Sequence, residues 1–237
     1  DLFFLPSLEE SSETLEESKR RPFDFSTCNP LSFLEIFKLG RTTATLTLVS
    51  GLQCFPEGKS IADLNMQYIS ADIGMSQQGQ TYFVMAFGAS MILAGKMGGS
   101  AIHFLGGRNF TSASNLLTAA ALSLWGTTRS TPMFWTGLAM LCPTMERRSA
   151  TSAMAIHHGT ANGMGKGEFS GAFANWRALC VVAAPLLYGS VYRRYTSEGR
   201  YQPGAAYLTA AAIVLITEAI FRSVPAADME VQAAKGK

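Results

Sequence analysis

Charge is scarce in this chain. Of its 237 residues only 15% are Asp, Glu, Lys or Arg, where an ordinary soluble domain carries about 25%. Cysteine is scarce as well. Cys28, Cys54, Cys142 and Cys180 stand far apart, with no metal-type spacing, which removes a zinc site from consideration. Three of the four fall inside apolar stretches, where a thiol serves as a small packing residue. Histidine is nearly absent: His157 and His158 are adjacent, but no Cys, Asp or Glu lies close by. They read as part of a solvated loop rather than as a metal site. Gly163-Met164-Gly165-Lys166-Gly167 is rich in glycine but lacks the phosphate-loop spacing and its Ser or Thr after Lys. No Ser-His pair at a strained turn and no haem-type Cys-His motif is present. The reading is therefore of a chain that is not an enzyme, with no cofactor, no metal and no nucleic-acid partner. No secretory leader is visible in these residues, since Leu2-Phe3-Phe4-Leu5 is too short and is followed by acid. The chain opens on Asp1 rather than Met, as a processed product or a fragment would.

What the sequence has is apolar length. Apolar residues make up 48%, with 22 Gly and 11 Met, and both suit helices packed in lipid. Apolar stretches punctuated by a few charges recur six times. Each is close to the roughly 20 residues a helix needs to cross a bilayer. The expected fold is an all-α membrane protein of six transmembrane helices. Residues 1–30 form a polar, flexible segment whose acidic run gives way to Lys19-Arg20-Arg21. Residues 31–224 form the membrane domain, and 225–237 a polar tail. Leu31 to Leu39, with Phe33, Ile36 and Phe37 on one side, fits a piece lying on the membrane surface.

The spans are expected at about 42–69, 81–105, 110–125, 132–143, 169–192 and 205–224. Pro56, Glu57 and Lys59 interrupt the first, and a His- and Gly-containing linker through Gly167 follows the fourth. Alternating them puts Lys19, Arg20, Arg21, Lys38, Arg41, Arg108, Arg147, Arg148, Lys166, Arg222, Lys235 and Lys237 on one side. The other side holds Arg129, Arg193, Arg194 and Arg200, so the ratio is twelve to four. Positive charge favours the cytoplasmic side. Both termini are expected in the same, cytosol-equivalent compartment.

Charges inside spans cost about 2.5–3.5 kcal/mol each on insertion scales, so they mark protein interiors or water-filled paths. Glu57 and Lys59 flank Gly58 just after Pro56, a combination that breaks a helix and frees carbonyls to line a cavity. These two charges are either a substrate or proton site or the interfacial end of a helix. Arg177, beside Trp176, is either an anion-binding or charge-pairing residue, with Glu57 a candidate partner, or a snorkelling side chain. Lys96 has the same ambiguity. Glu218 lies near the end of its span and reads as snorkelling rather than as a proton relay.

Around Arg177 the residues form a recognisable series. Arg177, Leu179-Cys180, Pro185 and Leu187-Tyr188-Gly189 give R-x-L-C-x4-P-x-L-Y-G. This resembles the eleventh helix of major facilitator superfamily transporters, in the hippocampus-abundant-transcript-like branch and the neighbouring tetracycline-type drug/proton antiporters. Asn29-Pro30-Leu31, Phe55-Pro56-Glu57, Cys142-Pro143 and the Gly167/Gly171 pair resemble landmarks of the seventh, tenth and eleventh helices in the same order. The resemblance covers about residues 29 to 224. Gly99, Gly106 and Arg108 resemble a remnant of the superfamily's gating loop, but His103 stands in its acidic place and Phe104 in a basic one. The resemblance implies the C-terminal six-helix half of a transporter for a small solute, with proton coupling an option. Such a half needs a complementary six-helix half, a second copy or other membrane subunits beside it in the bilayer. The other implied reading is a non-transporting accessory subunit of a large respiratory or photosynthetic complex in a eukaryotic organelle membrane.

Overall fold

A computed structural model of the chain describes residues 31–57, 59–197 and 201–225, with the backbone alone at 59, 60 and 62–64. The chain divides into two compact units, residues 1–32 and 33–237, and the second holds the described helices. The expected flexible segment at 1–30 and tail at 226–237 lie outside the described residues, as does Gly58.

All regular structure among the described residues is helical. A 3-10 turn at Ser32–Lys38 leads into α1 (Arg41–Cys54), α2 (Lys59–Ala71), α3 (Gln77–Leu105), α4 (Gly107–Thr127) and α5 (Thr131–Leu141). A second 3-10 turn at Cys142–Thr144 is followed by α6 (Arg147–Ala161), α7 (Lys166–Thr196) and α8 (Ala205–Arg222). Three of these, α3, α7 and α8, are long and apolar enough to cross a membrane, which makes this a membrane protein.

The breaks have local causes. Pro56 has no N–H, and its ring would meet the carbonyl of Leu52 one turn back. The backbone instead tightens, with Phe55 N–H donating to Leu52 O at 3.2 Å and Glu57 N–H to Cys54 O at 3.3 Å. Pro143 does the same between α5 and α6. Pro132 in the first turn of α5 is harmless, because its missing donor has no intrahelical partner there. Ser76 caps α3 by accepting from Gly79 N–H at 3.2 Å. The expected loop at Gly106–Asn109 is not a loop. Gly106 alone, at φ 77, joins α3 to α4. That left-handed conformation suits glycine and lets one residue reverse the chain. The expected linker after Pro143 is also mostly helix, since α6 fills Arg147–Ala161.

Two apolar cores form at opposite ends of the bundle. One gathers Tyr68, Ile69, Met75, Phe83, Leu122, Trp125, Phe134, Leu138, Tyr188 and Tyr207. The other gathers Ile36, Leu46, Val49, Met154, Phe169, Phe173, Phe221 and Val224. Six helical passes alternate in direction: α1–α2, α3, α4, α5–α6, α7 and α8. Five of them contribute residues to both cores or to the polar layer between; α3 ends near the second core, where Gly107 lies beside Met154. In the first core Trp125 stacks on Phe134, with centroids 4.5 Å apart, and its indole N–H donates to Phe134 O at 2.9 Å. Aromatic rings that also satisfy a buried donor fix helix spacing and rotation together.

Candidate functional site

A polar layer lies between the two cores, built from one face of α4 and the helix ends at both breaks. On α4, Thr111, Ser114, Asn115 and Thr118 are buried. Their spacing of three and four residues puts them on one stripe. Asn115 links two neighbours. It accepts from Gln53 Nε2 of α1 at 3.1 Å, and its own amide donates to Glu218 Oε2 of α8 at 2.9 Å. The other Glu218 oxygen takes the Ser112 hydroxyl and the Arg222 guanidinium, whose Nε lies at 2.7 Å. Glu218 is therefore buried at 4% exposure and not a snorkelling carboxylate. Its helix position is near the end of α8, but α4 closes over it, and the charge is held by three donors from two helices.

One turn along α1 from Gln53, the break presents Glu57. Arg147, first residue of α6, reaches it at 2.8 Å, and Arg148 approaches its second oxygen at 3.5 Å. Arg147 is only 2% exposed, so it is not a loop charge on the membrane surface. Both breaks in the bundle thus meet across one ion pair. Interrupting a helix frees the room and the direction for a long side chain to turn inward. Thr118 and Thr144 bridge the same layer, hydroxyl to hydroxyl at 3.0 Å.

A cavity of about 510 Å³ opens from this pair toward the first core, lined by Pro56, Glu57, Asn65, Phe83, Phe87, Met91, Thr118, Leu122, Trp125, Arg147 and Arg148 among others. Its walls are mainly hydrocarbon and aromatic, with charge concentrated at one end. Two nitrogens of Arg147, Nε and Nη1, are buried with no protein partner. At the other end Asn65 Oδ1 takes the Tyr207 hydroxyl at 2.7 Å.

The remaining site residues expected from sequence separate from this centre. Arg177 does not meet Glu57, whose oxygens Arg147 and Arg148 occupy. Its Nη1 lies 3.4 Å from Ser152 Oγ, and its guanidinium stands over the Phe173 ring at 5.8 Å. Among the described residues no acid forms an ion pair with it. Only the backbone of Lys59 is described, at the start of α2. Gly99 is exposed on α3, and Arg108, inside α4, donates to Val224 O at 3.2 Å, so Gly99, Gly106 and Arg108 form no loop. Lys96 is exposed on α3. His157 and His158 are half-buried on α6 rather than in a solvated loop. Their segment is rich in Ala, Ser and Thr, which is polar enough to look like a linker yet forms helix once one face is packed. Among the described residues no group of three His, Cys, Asp or Glu is placed to hold a metal.

Sequence reasoning missed Arg147 and Asn115. The signal for Asn115 was present, as the amide in a stripe of small polar residues at helical spacing. The signal for Arg147 was the second proline break just before it. Comparison with protein-family models, with curated proteins and with solved structures finds no match.

Proposed function

We propose that this chain is one six-span half of a secondary-transporter-like membrane protein for a small solute. The observation that carries the reading is the Glu57–Arg147 pair, set where two broken passes meet and facing a central cavity. Discontinuous helices with buried charge at mid-bundle are the arrangement by which transporters hold a solute inside a membrane. The six passes, both ends of which belong to the same end of the bundle, support six spans with the termini in one cytosol-equivalent compartment. The major facilitator resemblance supports the same reading, in which a complementary half, a second copy or another membrane subunit completes the path.

A second reading is favoured by one specific observation. Where a gating loop would sit, α3 runs unbroken to Leu105 and turns through Gly106 alone. A bundle without that loop suits a non-transporting accessory subunit of a large organellar membrane complex. Affinity purification from native membranes in mild detergent tests the choice. Recovery of a complementary helical half, with uptake that Glu57→Gln abolishes, supports transport. Recovery of many unrelated subunits and no uptake supports the accessory role.

A further inference from the structure

The cavity has a chemistry more specific than a solute site in general. Its charged end holds two guanidiniums and one carboxylate, an excess of one positive charge. Arg147 is spent only in part: Nη2 reaches Glu57 at 2.8 Å, while Nε and Nη1 are buried without partners. A buried guanidinium with two idle donors is costly unless something else accepts from it. Arg148, 45% exposed, stands at the same rim as a second cation. From there the walls turn apolar, through Met91, Phe87 and Phe83 on one side and Leu122 and Trp125 on the other. The volume of about 510 Å³ lies within the range of small-molecule pockets. The opening faces outward along α3, where Val84 and Met91 are exposed, so a ligand with an apolar body has a route in from the hydrocarbon phase.

We infer that this cavity binds a monocarboxylate with an apolar body. Its carboxylate takes one fork of Arg147, an idle nitrogen (Nε or Nη1) together with the second N–H of Nη2, once that edge turns to the cavity, and faces Arg148; its hydrocarbon or aromatic part lies along Phe83, Phe87, Leu122 and Trp125. The forks of a guanidinium are Nε with Nη2 and Nη1 with Nη2, and either one gives a planar carboxylate two parallel hydrogen bonds, a geometry an ammonium lacks. Glu57 is then a resident competitor: it holds one edge of Arg147 in the empty site and limits how strongly an incoming anion is attracted. The inference rests on reading the cavity as a solute site, but it is tested by binding and not by uptake. A chain that binds and does not transport leaves it standing.

Trp125 in the cavity wall reports directly. The full chain is placed in nanodiscs of phosphatidylcholine and titrated with 8-bromooctanoate, whose bromine quenches indole fluorescence on contact. The neutral 8-bromooctanol carries the same chain. The expected result is saturable quenching by the acid that Trp125→Phe removes, and only linear, partition-type quenching by the alcohol. Arg147→Gln is expected to weaken binding by about tenfold or more, the loss of one charge-assisted contact. Glu57→Gln, which frees Arg147, is expected to tighten it severalfold. Arg177→Gln, at a half-buried guanidinium away from the cavity, is expected to leave it unchanged. The opposite signs at Arg147 and Glu57 separate binding from misfolding, which would weaken both. Equal quenching by acid and alcohol, or Glu57→Gln weakening the acid, overturns the inference. So does complete displacement of the acid when phosphatidylglycerol is added to the discs, which would make a lipid headgroup the occupant.

Discussion

Removing Arg147 strands a carboxylate that the fold has half-buried at the break after α1. A buried ion pair adds little net stability, yet losing one partner is expensive because the other is left desolvated. Arg147→Ala is therefore expected to lower stability by about 3 kcal/mol, read as a drop in thermal midpoint in detergent or nanodiscs. The double change Arg147→Met with Glu57→Leu is expected to recover most of that loss, because nothing charged is then buried. A pair that can be replaced by hydrocarbon without harm to the fold is kept for something other than stability. Glu218 gives a contrasting case. Its partner Arg222 is 60% exposed, so that ion pair is screened and contributes little. Its bond from the buried Asn115 amide is what matters. Glu218→Gln, which can still accept from Asn115, is expected to be mild. Glu218→Ala is expected to cost about 1–3 kcal/mol through the unsatisfied amide, measured in the same unfolding assay.

Between elements, close approach of backbones sets the packing. Gly126 of α4 faces Gly204 at the start of α8, and a Cβ on Gly204 would collide with the Gly126 backbone. Small residues at such crossings let membrane helices pack on van der Waals contact alone. Gly204→Ala is expected to force α4 and α8 apart and to destabilise by about 1–3 kcal/mol. A backbone clash cannot be relieved by a rotamer change, so an unchanged thermal midpoint would contradict the packing. Below the first core, the Tyr201 hydroxyl donates to Asp72 Oδ1 at 2.5 Å, tying the end of α2 to the connection before α8. This hydrogen bond, first among its causes, raises the exposed phenol above its usual 10. The tie is fully present below pH 10 and is lost as pH rises through the elevated value. A tyrosinate absorbance titration of the chain against Tyr201→Phe should show the missing group ionising above that point. At this scale the sequence was legible where apolar length and proline decide the outcome: α3, α7 and α8, and the stops at Pro56 and Pro143. It was not legible at α6, because its helicity comes from burying Ala150, Met154 and Ala155 against neighbours that no local pattern reveals. The candidate site was half legible for the same reason. Glu57 announced itself beside a proline, while its partner Arg147 looked like one more basic residue at a membrane edge.

At the scale of the molecule, burial is uneven. The most apolar stretches of α3 and α7 are each only 17% buried within the chain, against 44% for α8. Met85, Ile92, Met97 and Phe104 on α3, and Val182 and Leu186 on α7, are left exposed by the rest of the described residues. With Arg147 buried in its ion pair, the proposed topology rests on the other basic residues, which still outnumber Arg129, Arg193, Arg194 and Arg200. Single cysteines placed near residues 35 and 225 should therefore react with an impermeant reagent from the same face of a sealed vesicle. Opposite labelling would contradict the proposed six spans. The solute reading makes a stronger demand. Alternating access needs two bodies that rock about a site held between them, whereas one bundle, with its cavity fixed between cores at both ends, supplies a pocket but no second wall to move. The chain reconstituted alone at one copy per vesicle is expected to bind its ligand without catalysing saturable uptake. Adding the complementary half, or raising the copy number if the second half is another copy, is expected to restore it. Saturable uptake by single copies that is lost in Glu57→Gln would show that this bundle completes a transport cycle unaided, and the half-transporter assignment would have to be given up.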